Sequence, residues 1–394
     1  MVRRLLAAVS VAALLGPAGV SGAVGPAPAV VAQADDGPDV TAKGAVLYDA
    51  ADDRMLWGEG AETALPPAST TKIMTVLLAL EAGAVDDTVT VSAYAAEVGR
   101  TAGAATLGLQ AGQQIAMRSL LEGLVLRSGN DAAVAVAEHV AGSEDAFVDK
   151  MNARAAELGM TDTNFINSTG LTNDLDHHAS ALDLARLADR ALTHPDFARW
   201  AATATTTVPG LGTLTNRNEL LGRYPGATGV KTGYTNLAGL CLVASAERDD
   251  RPLIAVVLGS EASFTDATAI LEHGYTDFRR AAIAAQGERV TRYRWAGARV
   301  PLRAAEELGR TLGADQRARW RLALEPAAAL PVAPGAALGR AELLVDGRVV
   351  DSTELVAGRA VPRPTAEAGA AGAGVALQEA LRAFARLHAV GRRI

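Results

Sequence analysis

An α/β fold is predicted for this chain. One sheet is assembled from both ends of a segment covering about residues 40–280, helices are inserted between those ends, and a smaller β-rich domain follows. Three observations carry the prediction. Strand-like runs open the segment at 43–48 and 54–57 and close it at 239–245 and 253–258. Between them, Ile73, Met74, Val76, Leu77, Leu78 and Leu80 cover every direction of a helix, the mark of a helix buried on all sides. Past Gly287 the composition shifts, and Asp346-Gly347 stands between Leu343-Leu344-Val345 and Arg348-Val349-Val350. That is a hairpin signal, because Asp-Gly suits a two-residue primed turn.

Taken in order, residues 49–53 turn the first two strands back on each other. Pro66 and Pro67 precede the core helix, where a missing N–H costs nothing, and the helical pattern runs from Ser69. Residues 89–91 are strand-like and 103–105 form a loop. Residues 115–125 are apolar at helical spacing and lead into Arg127-Ser128-Gly129-Asn130-Asp131; a helix resumes over 132–140 with Asn130 or Asp131 as its N-cap. Residues 143–158 and 180–192 are further helices, 205–208 and 214–216 are extended, and a strand ends at 230–232. Residues 248–251 turn between the last two strands, 267–278 close the segment as a helix, and 290–295 and 299–302 read as strands beyond it. The predicted divisions are a leader at 1–34, a sheet-and-helix domain at 35–282, a small β-rich domain without chemistry of its own at 283–362, and a linker with a basic tail at 363–394.

The leader has a secretory layout: Arg3 and Arg4, an uncharged run over 5–15, then small residues, with cleavage expected after Ala34 or, alternatively, Ala23. The run is too short to span a bilayer, and Gly16-Pro17 breaks it. Losing 1–34 removes two arginines and no acid, which takes the formal net charge from -7 to -9. So acidic a chain is a poor partner for nucleic acid. In the tail, Leu377, Leu381, Phe384 and Leu387 form one stripe with Arg382, Arg386, Arg392 and Arg393 nearby. A short basic amphipathic helix of this kind suits peripheral contact with an anionic membrane surface; docking on its own protein, or a free tail, is the equal alternative. Cys241 is the sole cysteine, so no internal disulfide forms, and Leu240-Cys241-Leu242-Val243 reads as core strand. The chain has 33 arginines but only four lysines: Lys43, Lys72, Lys150 and Lys231. Lysine can shed its proton inside a protein and arginine cannot, so the few lysines draw a chemical reading.

Ser69 and Lys72 lie three apart on a helix, so their side chains leave one face about 5–6 Å apart at Cβ. A hydroxyl and an amine so placed make a nucleophile and its base. The alternative is a serine N-cap followed by a surface lysine. Two further stretches decide for chemistry: Ser128-Gly129-Asn130, 59 residues after Ser69, and Lys231-Thr232-Gly233, 103 residues after Ser128. Together they resemble the Ser-x-x-Lys, Ser-x-Asn and Lys-Thr-Gly combination of penicillin-binding proteins and class A β-lactamases. Lys72 serves as base only with a lowered pKa, which burial and Lys231 as a second cation would supply. Ser128 passes a proton toward the leaving amine. Asn130 holds a peptide group in register, Lys231 and Thr232 hold a terminal carboxylate, and Gly233 lets a substrate strand lie close. The backbone N–H groups of Ser69 and Tyr234 are the candidate oxyanion donors.

These residues resemble the serine D-alanyl-D-alanine carboxypeptidases, the low-molecular-weight penicillin-binding proteins. Pro66-Pro67-Ala68-Ser69-Thr70-Thr71-Lys72-Ile73-Met74-Thr75 is similar to the family's nucleophile segment. Leu126-Arg127-Ser128-Gly129-Asn130-Asp131-Ala132 and Gly229-Val230-Lys231-Thr232-Gly233-Tyr234-Thr235 are similar to its second and third motifs. Asn164-Phe165-Ile166-Asn167-Ser168-Thr169-Gly170-Leu171 and His178-Ala179-Ser180-Ala181 also resemble family text. The resemblance covers about 40–280, with a looser likeness over 285–360. It implies a β-lactamase/transpeptidase-like domain built on an antiparallel sheet. It makes Ser69 the acyl-enzyme serine, Lys72 its proton acceptor, Ser128 the second catalytic serine and Lys231 the substrate-binding lysine. It implies removal of the terminal D-alanine from peptidoglycan stem peptides, covalent trapping by β-lactams, and extracytoplasmic work. The chain departs from the family at the C-terminus, where a clear anchor is usual and this tail is marginal.

Other readings are weaker. No cofactor site is read in the chain. His177-His178 beside Asp174 and Asp176 lacks a further clustered ligand, so a loop with a structural histidine is expected in place of a metal site. A class A-like β-lactamase would add a Glu-x-x-Leu-Asn stretch between the second and third motifs; Glu219-Leu220 lies there without the asparagine in frame. An endopeptidase of the same family and a non-catalytic wall-binding protein with a decayed site are the remaining alternatives, and all the motif side chains are present.

Overall fold

Two apolar strands from opposite ends of one segment pair at the centre of a five-stranded antiparallel sheet. A computed structural model describes residues 37–361, apart from 102, 296–297 and 325–330. The leader, the linker and the basic tail lie outside the described residues. The chain enters through β1 (Gly44–Asp49) and β2 (Arg54–Glu59), a 3₁₀ turn over Ala68–Thr71 and α1 (Lys72–Glu81). There follow β3 (Thr88–Thr90), α2 (Ala93–Val98), β4 (Gln114–Ala116), α3 (Met117–Arg127), α4 (Asn130–Ala141) and α5 (Glu144–Glu157). Next come α6 (Ala181–Leu192), α7 (Pro195–Ala201), a hairpin of β5 (Thr205–Val208) and β6 (Gly212–Thr215), then β7 (Ala227–Thr235), β8 (Gly239–Arg248), β9 (Arg251–Ser260) and α8 (Ser263–Asp277). The sheet order is β2-β1-β9-β8-β7, so β7 is an edge strand.

Alternation along the central strands explains the layering. Val46, Tyr48, Ile254, Val256 and Leu258 join one apolar core with the side chains of α1, α3, α4 and α6. Leu47 and Leu253 point the other way, against Gly274 of α8, where an added Cβ would come within 3.0 Å of both side chains. Both faces are covered, so β1 and β9 are apolar without a polar side. Helix α1 is the buried post of the cluster: Lys72 to Leu77 and Ala79 are all buried.

Several local expectations change on folding. Ser69 sits in the 3₁₀ turn before α1, and Lys72 is the first α-helical residue. Ile115 belongs to β4, paired with Val89, because that edge has a partner strand waiting. Gly129 occupies the N-cap of α4 without a side-chain cap. The Asp131 carboxylate, expected as a cap, turns to the loop before it and accepts from Leu107 N, Leu109 N and Thr106 Oγ1. Strand β7 runs through 230–232 and continues to Thr235, and helices α2 and α7 carry no strong sequence signal.

A second compact unit begins at Phe278. It holds β10 (Phe278–Ala284), β11 (Arg289–Trp295), β12 (Ala298–Ala304), β13 (Leu308–Gly313), β14 (Ala318–Leu324), β15 (Ala337–Val345) and β16 (Arg348–Ala357). Strands β11-β12-β16-β15-β14 form one antiparallel sheet over a core that includes Val300, Leu302, Leu338, Leu343 and Leu355. Asp346 and Gly347 join β15 to β16 with φ of 49° and 84°, the two left-handed residues a primed turn requires.

Candidate active site

The turn that carries Ser69 is strained and braced. Ala68, immediately before Ser69, has φ 48°, a left-handed conformation that costs a non-glycine residue on the order of 1–2 kcal/mol. Two hydroxyls offset that cost by tying the turn to its own backbone: Thr70 Oγ1 donates to Pro67 O at 2.7 Å and Thr71 Oγ1 to Ala68 O at 2.8 Å. Lys72 opens α1 beneath this turn. Its Nζ lies 2.9 Å from Ser69 Oγ and donates to Thr169 O at 2.6 Å. The Lys72 side chain is buried, and its pKa stands well below the ordinary lysine value. Burial is the largest cause, the charges of Lys231 and Arg217 add to it, and Asp131 opposes them. An amine whose pKa is lowered, at hydrogen-bond distance from a hydroxyl, is suited to take its proton.

Ser128 and Asn130 come from the junction of α3 and α4. Ser128 is the left-handed residue that ends α3, with φ 66°, which lets the chain turn into α4 within two residues. Asn130 donates its backbone N–H to Ala105 O at 2.8 Å, fixing the facing loop. Ser128 Oγ and Asn130 Oδ1 are buried without a protein hydrogen-bond partner. Such a state costs about 1–3 kcal/mol per group and marks polar atoms kept for something other than folding.

Edge strand β7 supplies the opposite wall. Lys231 is buried, donates from Nζ to Thr232 O at 2.9 Å, and has its pKa pushed down to about 7 by burial, with Arg217 adding. A Cβ on Gly233 would stand 3.0 Å from Ser69 N and 3.1 Å from Pro67 O. The glycine therefore admits the Ser69 turn, a different neighbour from the substrate strand expected of it. Tyr234 follows at the rim and is exposed.

Ser69, Ser128, Asn130, Thr232, Gly233 and Tyr234 line one cleft of about 210 Å³; Lys72, at Ser69 Oγ, and Lys231, beside Thr232 in β7, are buried behind that lining. Among the lining groups not expected as site residues are Arg217, the 103–105 loop, Leu171 and Phe264. Arg217 is one of 33 arginines and sits in an irregular stretch before β7, where its backbone N–H donates to Leu126 O. Cys241, opposite Gly233 in the β7–β8 register, also lines the cleft, and burial pushes its thiol up to about 11, so it stays a neutral packing group. His177 sits in the core, with its ring against Thr71 Oγ1 and Ile166 N.

The profile of the D-alanyl-D-alanine carboxypeptidase family, Peptidase_S11, matches residues 30–262. A D-alanyl-D-alanine carboxypeptidase of Bacillus subtilis, DacF, is 40% identical over 228 residues, covering 56% of this chain and 57% of its own length. The chain thus spans little more than half of that relative. DacC of Escherichia coli is 32% identical over 343 residues, covering 82% of this chain and 85% of its own length. Among solved structures, penicillin binding protein 5 from Haemophilus influenzae superposes with a TM-score of 0.68 at 28% identity, covering 83% of this chain and 99% of that one.

Proposed function

The chain belongs to the D-alanyl-D-alanine carboxypeptidase family, and from that premise we propose that it is a serine carboxypeptidase which removes the terminal D-alanine from peptidoglycan stem pentapeptides. One observation carries the reading: a buried lysine with a depressed pKa stands 2.9 Å from Ser69 Oγ, and Ser69 lines a cleft together with Ser128, Asn130 and Thr232.

Neutral Lys72 takes the Ser69 proton as Oγ attacks the carbonyl of the penultimate residue. The N–H groups of Ser69 and Tyr234 receive the negative oxygen; one such donor typically contributes about 10²–10³ in rate. Ser128 Oγ gives its proton to the departing amine of D-alanine and is recharged from Lys72, which leaves an ester on Ser69. Water then cleaves that ester and releases the shortened peptide. Lys231, Thr232 and Arg217 hold the terminal carboxylate, which offsets the repulsion among buried cations, and Asn130 holds the adjoining peptide group. A β-lactam presents the same carboxylate and carbonyl, and becomes trapped at the ester. No glutamate or aspartate lines the cleft among the described residues, which argues against a β-lactamase that activates water with a carboxylate.

Incubating the purified protein with a fluorescent penicillin tests the proposal. A long-lived adduct on Ser69 is expected, lost in Ser69→Ala and in Lys72→Arg, since arginine stays protonated. D-alanine release from a pentapeptide completes the test. Absence of any adduct, or rapid turnover of the antibiotic, would overturn it.

We further infer export and work at the cell wall from the signal layout of residues 1–34, together with peripheral membrane contact through the basic tail. Among the described residues no helix is long and apolar enough to cross a membrane.

A further inference from the structure

His177 takes no part in the steps above, yet it is buried with both ring nitrogens in use. Its Nδ1 accepts from Ile166 N–H at 3.1 Å. A neutral imidazole has one acceptor and one donor nitrogen, so the ring proton is on Nε2. Burial is the largest cause that holds the ring's pKa down at about 4, so it is neutral at working pH. Nε2 lies 2.8 Å from Thr71 Oγ1 and donates to it, which leaves the Thr71 proton for Ala68 O, 2.8 Å away.

That last bond has a consequence for chemistry. Ala68 C=O and Ser69 N–H are the two ends of one planar trans peptide and point in opposite directions. Fixing the carbonyl fixes the direction of the N–H, whose nitrogen lies beside Gly233 on the cleft wall. The turn does not hold this orientation unaided, because Ala68 is in a strained left-handed conformation.

We propose that His177 is a positioning residue for acylation: by keeping the Thr71 hydroxyl turned onto the Ala68 carbonyl, it aims the Ser69 N–H at the developing oxyanion. The same ring ties the nucleophile turn to the 164–170 loop, whose Thr169 carbonyl accepts from Lys72. The inference rests on the acyl-transfer reading above.

Two conservative substitutions in the full chain separate the two ring bonds. Gln places an amide nitrogen where Nε2 was and keeps the donor to Thr71. Asn places its amide where Nδ1 was and keeps only the acceptor for Ile166. Each variant loses one bond, so a purely structural role predicts equal effects. The expected result is that His177→Asn lowers the rate of fluorescent-penicillin acylation by about tenfold or more while His177→Gln stays within about threefold of the parent, with the two melting alike. In a double-mutant cycle, Thr71→Val combined with His177→Asn is no slower than the slower single variant. Equal acylation by the Gln and Asn variants, or losses that multiply in the double variant, would overturn the proposal. Should His177→Asn not fold, Thr71→Val against Thr71→Ser carries the same contrast: only the serine keeps the hydroxyl, and equal rates refute the inference. A parent protein that forms no Ser69 adduct overturns the acyl-transfer reading itself, and the inference with it.

Discussion

Replacing Gly170 with alanine is expected to disable the site from outside its reacting groups. Gly170 has φ 75°, and a Cβ there would stand 1.8 Å from Ala68 O and 2.7 Å from Thr71 Oγ1. An ordinary carbon–oxygen contact is about 3.3 Å, so the loop and the nucleophile turn must part by roughly 1.5 Å. Alanine in the left-handed region costs about 1–2 kcal/mol. The forced repacking adds about 1–3 kcal/mol. The Ala68–Ser69 peptide is what moves, and a displacement of about 1 Å at reacting groups costs on the order of 10² in rate. Gly170→Ala should therefore melt roughly 5–15 °C lower and, at a temperature where circular dichroism shows it folded, acylate with penicillin about a hundredfold more slowly. Acylation within about threefold of the parent, at an unchanged melting temperature, would refute the claim that this contact fixes the turn.

Three further outcomes follow from the charges around the two buried lysines. Lys231 has its folded pKa lowered from 10.5 to about 7, so between those values the unfolded chain binds more protons and stability rises with pH. Lys231→Met should abolish acylation yet stabilise the protein at pH 7 by about 1–4 kcal/mol, and the rise in stability between pH 7 and 10.5 should flatten; denaturant titrations at several pH values check this. Arg217→Met removes a charge that lowers both lysines, so the acid limb of the acylation pH profile should move to higher pH, and KM for a carboxylate-bearing peptide should rise about tenfold or more. Asp131→Asn should move the same limb the opposite way, because the aspartate raises Lys72; it should also cost roughly 2 kcal/mol in thermal or chemical unfolding, through loss of charge-assisted bonds to the 106–109 loop.

By itself the sequence determined most of the elements and singled out the side chains proposed above for the chemistry. An all-round apolar helix has to be buried, strands of apolar residues have to be covered, and an Asp-Gly pair between strands has to turn, wherever the chain goes. The three motifs were legible because each sets its polar side chains within a few residues of one another, the first two at element boundaries and the third inside β7. Tertiary structure alone decided the rest. Arg217 became a cleft residue only when an irregular stretch packed beside α3, and nothing local marks it among so many arginines. Asp131 left the helix cap for loop amides that lie more than twenty residues earlier in the chain. Gly233 was claimed by the Ser69 turn, 164 residues away, and Ile115 by a strand whose partner the pattern at 115–125 does not contain. Periodicity records how a residue meets its own helix or strand, whereas a pKa, a close approach or a carbonyl acceptor such as Thr169 depends on neighbours that only the closed fold brings within a few ångströms.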